Sequence, residues 1–295
     1  MTIVATVLQI VAPVFILAGI GALWVRSGIE YRAEFVTRLA MTLSLPCLIF
    51  SSLVKTEIGS GELMETLWAC IVGYGVITLA FFALVRLTRL EVPTFLPPLI
   101  FGNTGNLGLP LAYFAFGQQG LDFAIIIFAF MTVYAFTLGI WMVSGGGSPL
   151  QMFSEPMVPA TLLGALFLVM GWRLPVWATN TLDLVGQMAI PLMLLTLGVA
   201  LSRLKFSRLT QAAWLSALRI PVCIAVAVAT GHMFGLTPVP FAVLVLQIST
   251  PVAVTSYILA EKYGVDSEAV AGLVIVSSLM SVVAIPVTLA FLIPG

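Results

Sequence analysis

Charge is what this sequence has least of. Only 8% of its residues are Asp, Glu, Lys or Arg, against about 25% in ordinary soluble domains. No stretch between its apolar runs is long enough for a soluble domain. Twelve basic residues balance twelve acidic ones, so no basic surface is on offer to nucleic acid. One histidine, His232, and three cysteines, Cys47, Cys70 and Cys223, show neither metal-ligand spacing nor a disulfide framework. The Gly-x-x-x-x-Gly-Lys-Ser/Thr loop of ATP-driven pumps is missing. With no His, Cys or carboxylate constellation in its apolar runs, the chain reads as a non-enzyme without a cofactor.

What is present is apolar: 61% of the residues are hydrophobic. A bilayer crossing takes about 20 residues, and hydropathy divides the chain into ten spans at roughly 3–25, 36–54, 64–86, 94–117, 121–143, 155–171, 178–201, 211–234, 238–260 and 267–292. The expected class is an all-α membrane protein. Span 1 lacks a basic n-region and is too long for a signal-peptide core, so it reads as a mature span. The longest polar break, Ser144-Gly145-Gly146-Gly147-Ser148-Pro149, is a flexible connector near the midpoint. Arg26, Arg32, Arg38, Arg86, Arg89, Arg203, Lys205, Arg208 and Lys262 flank one side, and only Lys55 and Arg173 the other. The positive-inside rule puts the first group in the cytoplasm and both termini outside, in the cell's inner (plasma) membrane. Trp24, Trp68, Trp172 and Trp177, near span ends, read as interfacial anchors.

The halves 1–150 and 151–295 look like copies. A shift of 144 to 146 residues sets Pro13 on Pro159, Pro46 on Pro191, and Tyr113…Gly120-Leu121-Asp122 on Tyr257…Gly264-Val265-Asp266. Five spans per copy is an odd number, so the second copy would be inverted, as in many secondary transporters. Span 4 is interrupted by Gly102, Asn103, Gly105, Asn106, Gly108 and Pro110, and span 9 by Gln247-Ile248-Ser249-Thr250-Pro251. In hydrocarbon every freed N–H and C=O needs a partner, so broken helices survive only inside protein or beside a polar cavity. The shift aligns Asn103 and Asn106 with Gln247 and Thr250, each pair spaced i, i+3 on one helical face.

Asn103-Thr104-(three residues)-Gly108-Leu109-Pro110-Leu111, Leu45-Pro46, Glu261-Lys262-Tyr263 and Ile285-Pro286-Val287-Thr288-Leu289 resemble motifs of the auxin efflux carrier family, with bacterial malate- or malonate-permease-like members the closer comparison. Arg219 resembles an arginine recurring in that family. The resemblance covers the whole chain. It implies two inverted five-helix repeats, with a scaffold of spans 1, 2, 6 and 7, a moving domain of spans 3–5 and 8–10, and spans 4 and 9 crossing at their breaks. It also implies transport of small organic anions. The short connector departs from the long loop of many plant members, so regulation by phosphorylation there is not expected.

Two readings stand for each candidate residue. Asn103 and Asn106 either hold a carboxylate, aided by the half-helix N-terminus, or satisfy a kinked backbone. Gln247 and Thr250 either join them or bond across packed helices. Arg219 either contacts the anion or a gate, or snorkels to the headgroups. Gly105, Gly108, Pro110 and Pro251 set the geometry of the break. Glu62 and Glu65 read as interfacial, Glu65 with proton coupling as its alternative. His232 reads as interfacial too. Ser277, Ser278 and Ser281 read as helix-packing residues. The expected function is alternating-access carriage of small carboxylates in contact with membrane lipid. Proton or sodium coupling and a homodimer are left open. The alternatives are a sodium-coupled symporter resembling bile-acid transporters, and a channel, for which no polar ring or repeated pore loop is present.

Overall fold

The computed structural model describes residues 3–56, 58–144, 156–204 and 208–293, and among them every named element is helical. The Gly-rich connector beyond Ser144 and Lys205 lie outside the described residues. The α-helices are α1 (Ile3–Arg26), α2 (Ala33–Leu39), α3 (Leu45–Lys55), α4 (Ser60–Leu87), α5 (Val92–Ile100), α6 (Leu109–Tyr134), α7 (Ile140–Ser144), α8 (Met157–Met170), α9 (Val176–Gln187), α10 (Ala189–Arg203), α11 (Leu209–Met233), α12 (Pro238–Ser249), α13 (Val254–Tyr263) and α14 (Ser267–Leu292). Wider π-type turns at Ala40–Ser44, Thr104–Gly108 and Ala135–Gly139 continue them.

Among the described residues, seven helical stretches are long and apolar enough to cross a membrane, and Met157–Met170 and Pro238–Ser249 are shorter apolar helices. Leu79, Val169 and Phe291 project outward with most of their surface exposed, which suits lipid and not water. The four tryptophans are exposed as well. This is an integral membrane protein.

The helices pack in two groups. In the first, α1 lies along α10, and α3 along α8 and α9. In the second, α11 packs on α4, α12 and α14, while α6 packs on α4 and α12. Tyr74, Phe81, Phe123, Leu99 and Leu244 are buried inside the second group. The groups meet where the turn Thr104–Gly108 touches α10 and where α6 touches α1, α3 and α8.

One long stretch, Thr104–Ser144, has 41 residues, about twice what a crossing needs. Gly117 divides it, with φ 63° and ψ −152°, a backbone region open essentially to glycine alone. A β-carbon on Gly120 would lie 2.6 Å from the Ala112 carbonyl oxygen. Those residues would be about 12 Å apart along an unbroken helix, so the chain doubles back at Gly117. Gly264, with φ 69° and ψ 27°, ends α13 in the left-handed conformation.

Replacing Gly117 with Val should destabilise the purified protein by about 1–3 kcal/mol, read as a lowered melting temperature in detergent. Gly75→Ala, in α4 with nothing within 4 Å of the new methyl, should not lower it.

Candidate functional site

Two helices stop in the middle of the protein and meet. After α5 the backbone turns extended at Phe101 (φ −86°, ψ 113°). After α12 it turns extended at Thr250 (φ −54°, ψ 148°), the residue before Pro251, where helix is disfavoured. Residues 101–103 and 251–253 then run antiparallel, with Gly102 opposite Val252. Asn103 N–H donates to the Pro251 carbonyl at 2.7 Å and Ala253 N–H to the Phe101 carbonyl at 3.1 Å. Val252 N–H donates to Ser277 Oγ at 3.0 Å. Each break thus supplies partners that the other lacks.

Arg219 holds the two helix ends from the side. Its Nε donates to the Leu99 carbonyl at 2.9 Å and its Nη1 to the Thr250 carbonyl at 2.6 Å. Helix C-termini carry unpartnered carbonyls and a partial negative charge, and one guanidinium answers both. The residue is 1% exposed, which excludes snorkelling to the headgroups. A buried arginine costs at least ~2.5–3.5 kcal/mol in a membrane, and two charge-assisted bonds of about 1.5–3 kcal/mol each offset that.

The close approach requires glycine. A β-carbon on Gly102 would collide with Thr250 Oγ1, and one on Gly108 with Gln247 Oε1. Gly105 lies against Phe128 and Met193. Pro110 is in the first turn of α6, where a missing N–H costs nothing. It therefore sits beyond the pairing, while Pro251 is a member of it.

The register of the pairing differs from the shift of 144 to 146. Gly102 faces Val252, so Asn103 and Asn106 follow their break while Gln247 and Thr250 precede theirs. Asn103 is in the break and Asn106 in the π-type turn, not on one regular α-helical face. Thr250 Oγ1 donates to the Gln247 carbonyl at 2.7 Å, a local helix-end bond. Asn103 is 4% exposed and Gln247 0%; Asn106 is half-buried.

Five buried polar atoms here have no protein partner: Asn103 Nδ2, Thr104 Oγ1, Arg219 Nη2, and both Nε2 and Oε1 of Gln247. Such atoms are uncommon in native structures, and ligand or ion sites are one place they occur. Three of the five are N–H donors and a fourth is a hydroxyl, a set suited to an acceptor-rich ligand such as a carboxylate.

Two cavities lie between the helix groups, towards opposite ends of α10. One of about 590 Å³ is lined by Ser52, Lys55, Tyr113, Asp122, Asp183 and Pro191 among others. The second, about 370 Å³, is lined by Arg26, Leu107, Leu201, Pro251 and Ser281 among others. Neither is lined by Asn103, Asn106, Gln247, Thr250 or Arg219, so these side chains are closed off from both, while Pro251 of the pairing borders the second. Glu65 and His232 are exposed, the latter's ring 4.8 Å from that of Phe241.

Paired interruptions deep inside a polytopic helical protein are a feature of membrane transporters, and comparison with known proteins supports that class. Residues 146–289 match the family model described as membrane transport protein. An uncharacterized transporter of Methanothermobacter thermautotrophicus is 28% identical over 96% of this chain and 95% of its own. An uncharacterized transporter of Methanocaldococcus jannaschii is 24% identical over 87% of this chain and 88% of its own. A Rhizobium meliloti protein provisionally named a malonate transporter is 23% identical over 62% and 61%. Residues 146–289 are thus similar to a membrane transport protein family of auxin efflux carrier-like proteins, the resemblance that the motifs around Asn103 and Pro110 carry in the other half of the chain.

Ser277 was legible only as a packing residue, because its partner is a backbone N–H that no side-chain pattern marks. Ser277→Ala should destabilise by about 1–3 kcal/mol by orphaning Val252 N–H. Ser281→Ala, which removes only a bond to its own helix's Ser278 carbonyl, should cost much less. Thermal unfolding of both variants in detergent measures the contrast.

Proposed function

We propose that the chain is a secondary transporter of small organic anions, carboxylates in particular, working by alternating access at the paired breaks. The carrying observation is the set of unpartnered donors, Asn103 Nδ2, Gln247 Nε2 and Arg219 Nη2, buried between two cavities. The first turn that follows, Thr104–Gly108, adds backbone N–H groups without intrahelical partners and a partial positive charge. Asn103, Gln247 and Arg219 are the substrate-facing side chains in this reading, and Asn106 enters when the Leu107 side opens. The malonate in one relative's name supports a small dicarboxylate as the first substrate to try.

The architecture behind it is ten spans in two inverted repeats, 1–150 and 151–295. The turns at Gly117 and Gly264 close corresponding half-helices, and α5–α6 and α12–α13 are the broken pair. The helices α1, α2, α3, α8, α9 and α10 act as scaffold. The others carry the site past α10, so that the cavities at its two ends open in turn. Both termini face away from the cytoplasm.

Reconstituted protein should show saturable malonate uptake stimulated by malonate on the far side. Conductance far above carrier turnover would instead mean a channel. Asn103→Ala removes a bond to a charged ligand worth about 1.5–3 kcal/mol, so apparent affinity should fall roughly 10- to 100-fold while the protein stays folded. Normal uptake by that variant would overturn the assignment. Replacing sodium with choline separates sodium coupling from the remaining possibilities.

A further inference from the structure

The larger cavity contains charges that the paired breaks do not use. Asp183 of α9 accepts hydrogen bonds from Lys55 Nζ and Ser51 Oγ, both of α3. Across the cavity, Asp122 of α6 is 9% exposed and accepts from Gln118 Nε2 at 2.8 Å. Gln118 also donates to Ser52 Oγ of α3 at 3.4 Å, which bridges the two helix groups. A smaller cavity of about 400 Å³ adds Glu62 of α4 to the surroundings of Lys55 and Asp122.

Asp122 has no cation of its own. The titratable side chains lining these two cavities with it are Lys55, Asp183, Glu62 and Tyr113, and Lys55 is already committed to Asp183. Its sequence counterpart Asp266 is better supplied: it caps α14 through Ala269 N–H and pairs with Arg208 at 2.8 Å. A buried carboxylate without a counter-ion keeps a desolvation cost that hydrogen bonds from neutral donors offset only in part. Protonation removes that charge and leaves the Gln118 bond in place.

We propose that Asp122 is a proton-binding site, and that Lys55 is a latch that reads its state. With Asp122 protonated, Lys55 stays on Asp183, inside the scaffold. When the Asp122 O–H proton passes to water in the cavity, the new carboxylate draws Lys55 Nζ across. The α3–α9 ion pair is exchanged for one between α3 and α6, which ties the second helix group to the first. The inference deepens the transport reading by naming where a proton can act on the motion, but proton binding itself needs no substrate.

Infrared difference spectra of the full-length protein in liposomes, without any substrate, test it. At neutral pH the wild type should show a protonated-carboxyl C=O band that Asp122→Asn lacks. In Asp183→Asn, Lys55 is freed to pair with Asp122, and the band should be largely lost at the same pH. The second variant keeps Asp122, so it tests the latch even where Asp122→Asn fails to fold. A wild type without the band, a band retained in Asp122→Asn, or one unchanged in Asp183→Asn would overturn the proposal. A wild type that shows the band but moves no carboxylate would overturn the transport reading and leave this one standing.

Discussion

The structure depends on one buried cation serving two helix ends. Ending a helix inside a membrane protein exposes carbonyls that neither lipid nor the chain's own next turn can satisfy. Here α5 and α12 end side by side, and Arg219 reaches the Leu99 and Thr250 carbonyls with two arms of one guanidinium. A lysine would bring a point charge in place of a planar fork. The antiparallel bonds between residues 101–103 and 251–253 account for further groups, and Ser277 accounts for Val252 N–H. Remove the cation and two partial negative charges face each other unscreened.

That arrangement leaves polar atoms over, and the excess is of donors. Asn103, Thr104, Gln247 and Arg219 each retain an atom without a protein partner, around the break where α5 and α12 end. In the proposed function, a site built this way would hold an anion without a permanent full charge at every ligand contact, which favours release as well as binding. Its position against the middle of α10, through Gly105 and Met193, sets it between the cavities at the two ends of that helix. The groups of helices on either side touch each other less than they touch themselves, which is the condition for one to move past the other.

Much of this was legible in the sequence, and the failures have physical reasons. Gly102, Gly108 and Pro251 marked the interruptions because such residues are costly in an uninterrupted membrane helix. An arginine inside an apolar run announced a buried partner. That its partners are main-chain carbonyls could not be read, because carbonyls carry no residue identity. The pairing of Gly102 with Val252 is offset from the shift of 144 to 146 residues, and the sequence did not show it. The matches at Tyr113 and Gly120 that set the shift come from outside the break. Gly102 to Gly117 is longer than Val252 to Gly264, and the π-type turn Thr104–Gly108 follows the first break while α13 has none. Asn103 and Gln247 were both picked out, but as equivalents. They are instead neighbours of the break on opposite sides.

The most direct test of the Arg219 clamp is amide hydrogen exchange at Asn103 and Ala253, the two N–H groups bonded across the pairing. In the wild type both should exchange slowly and with the same protection. In Arg219→Gln, which keeps volume but loses the charge and the fork, both should lose protection together while amides in the middle of α4 keep theirs. Unchanged protection at Asn103 and Ala253 in that variant would contradict the account.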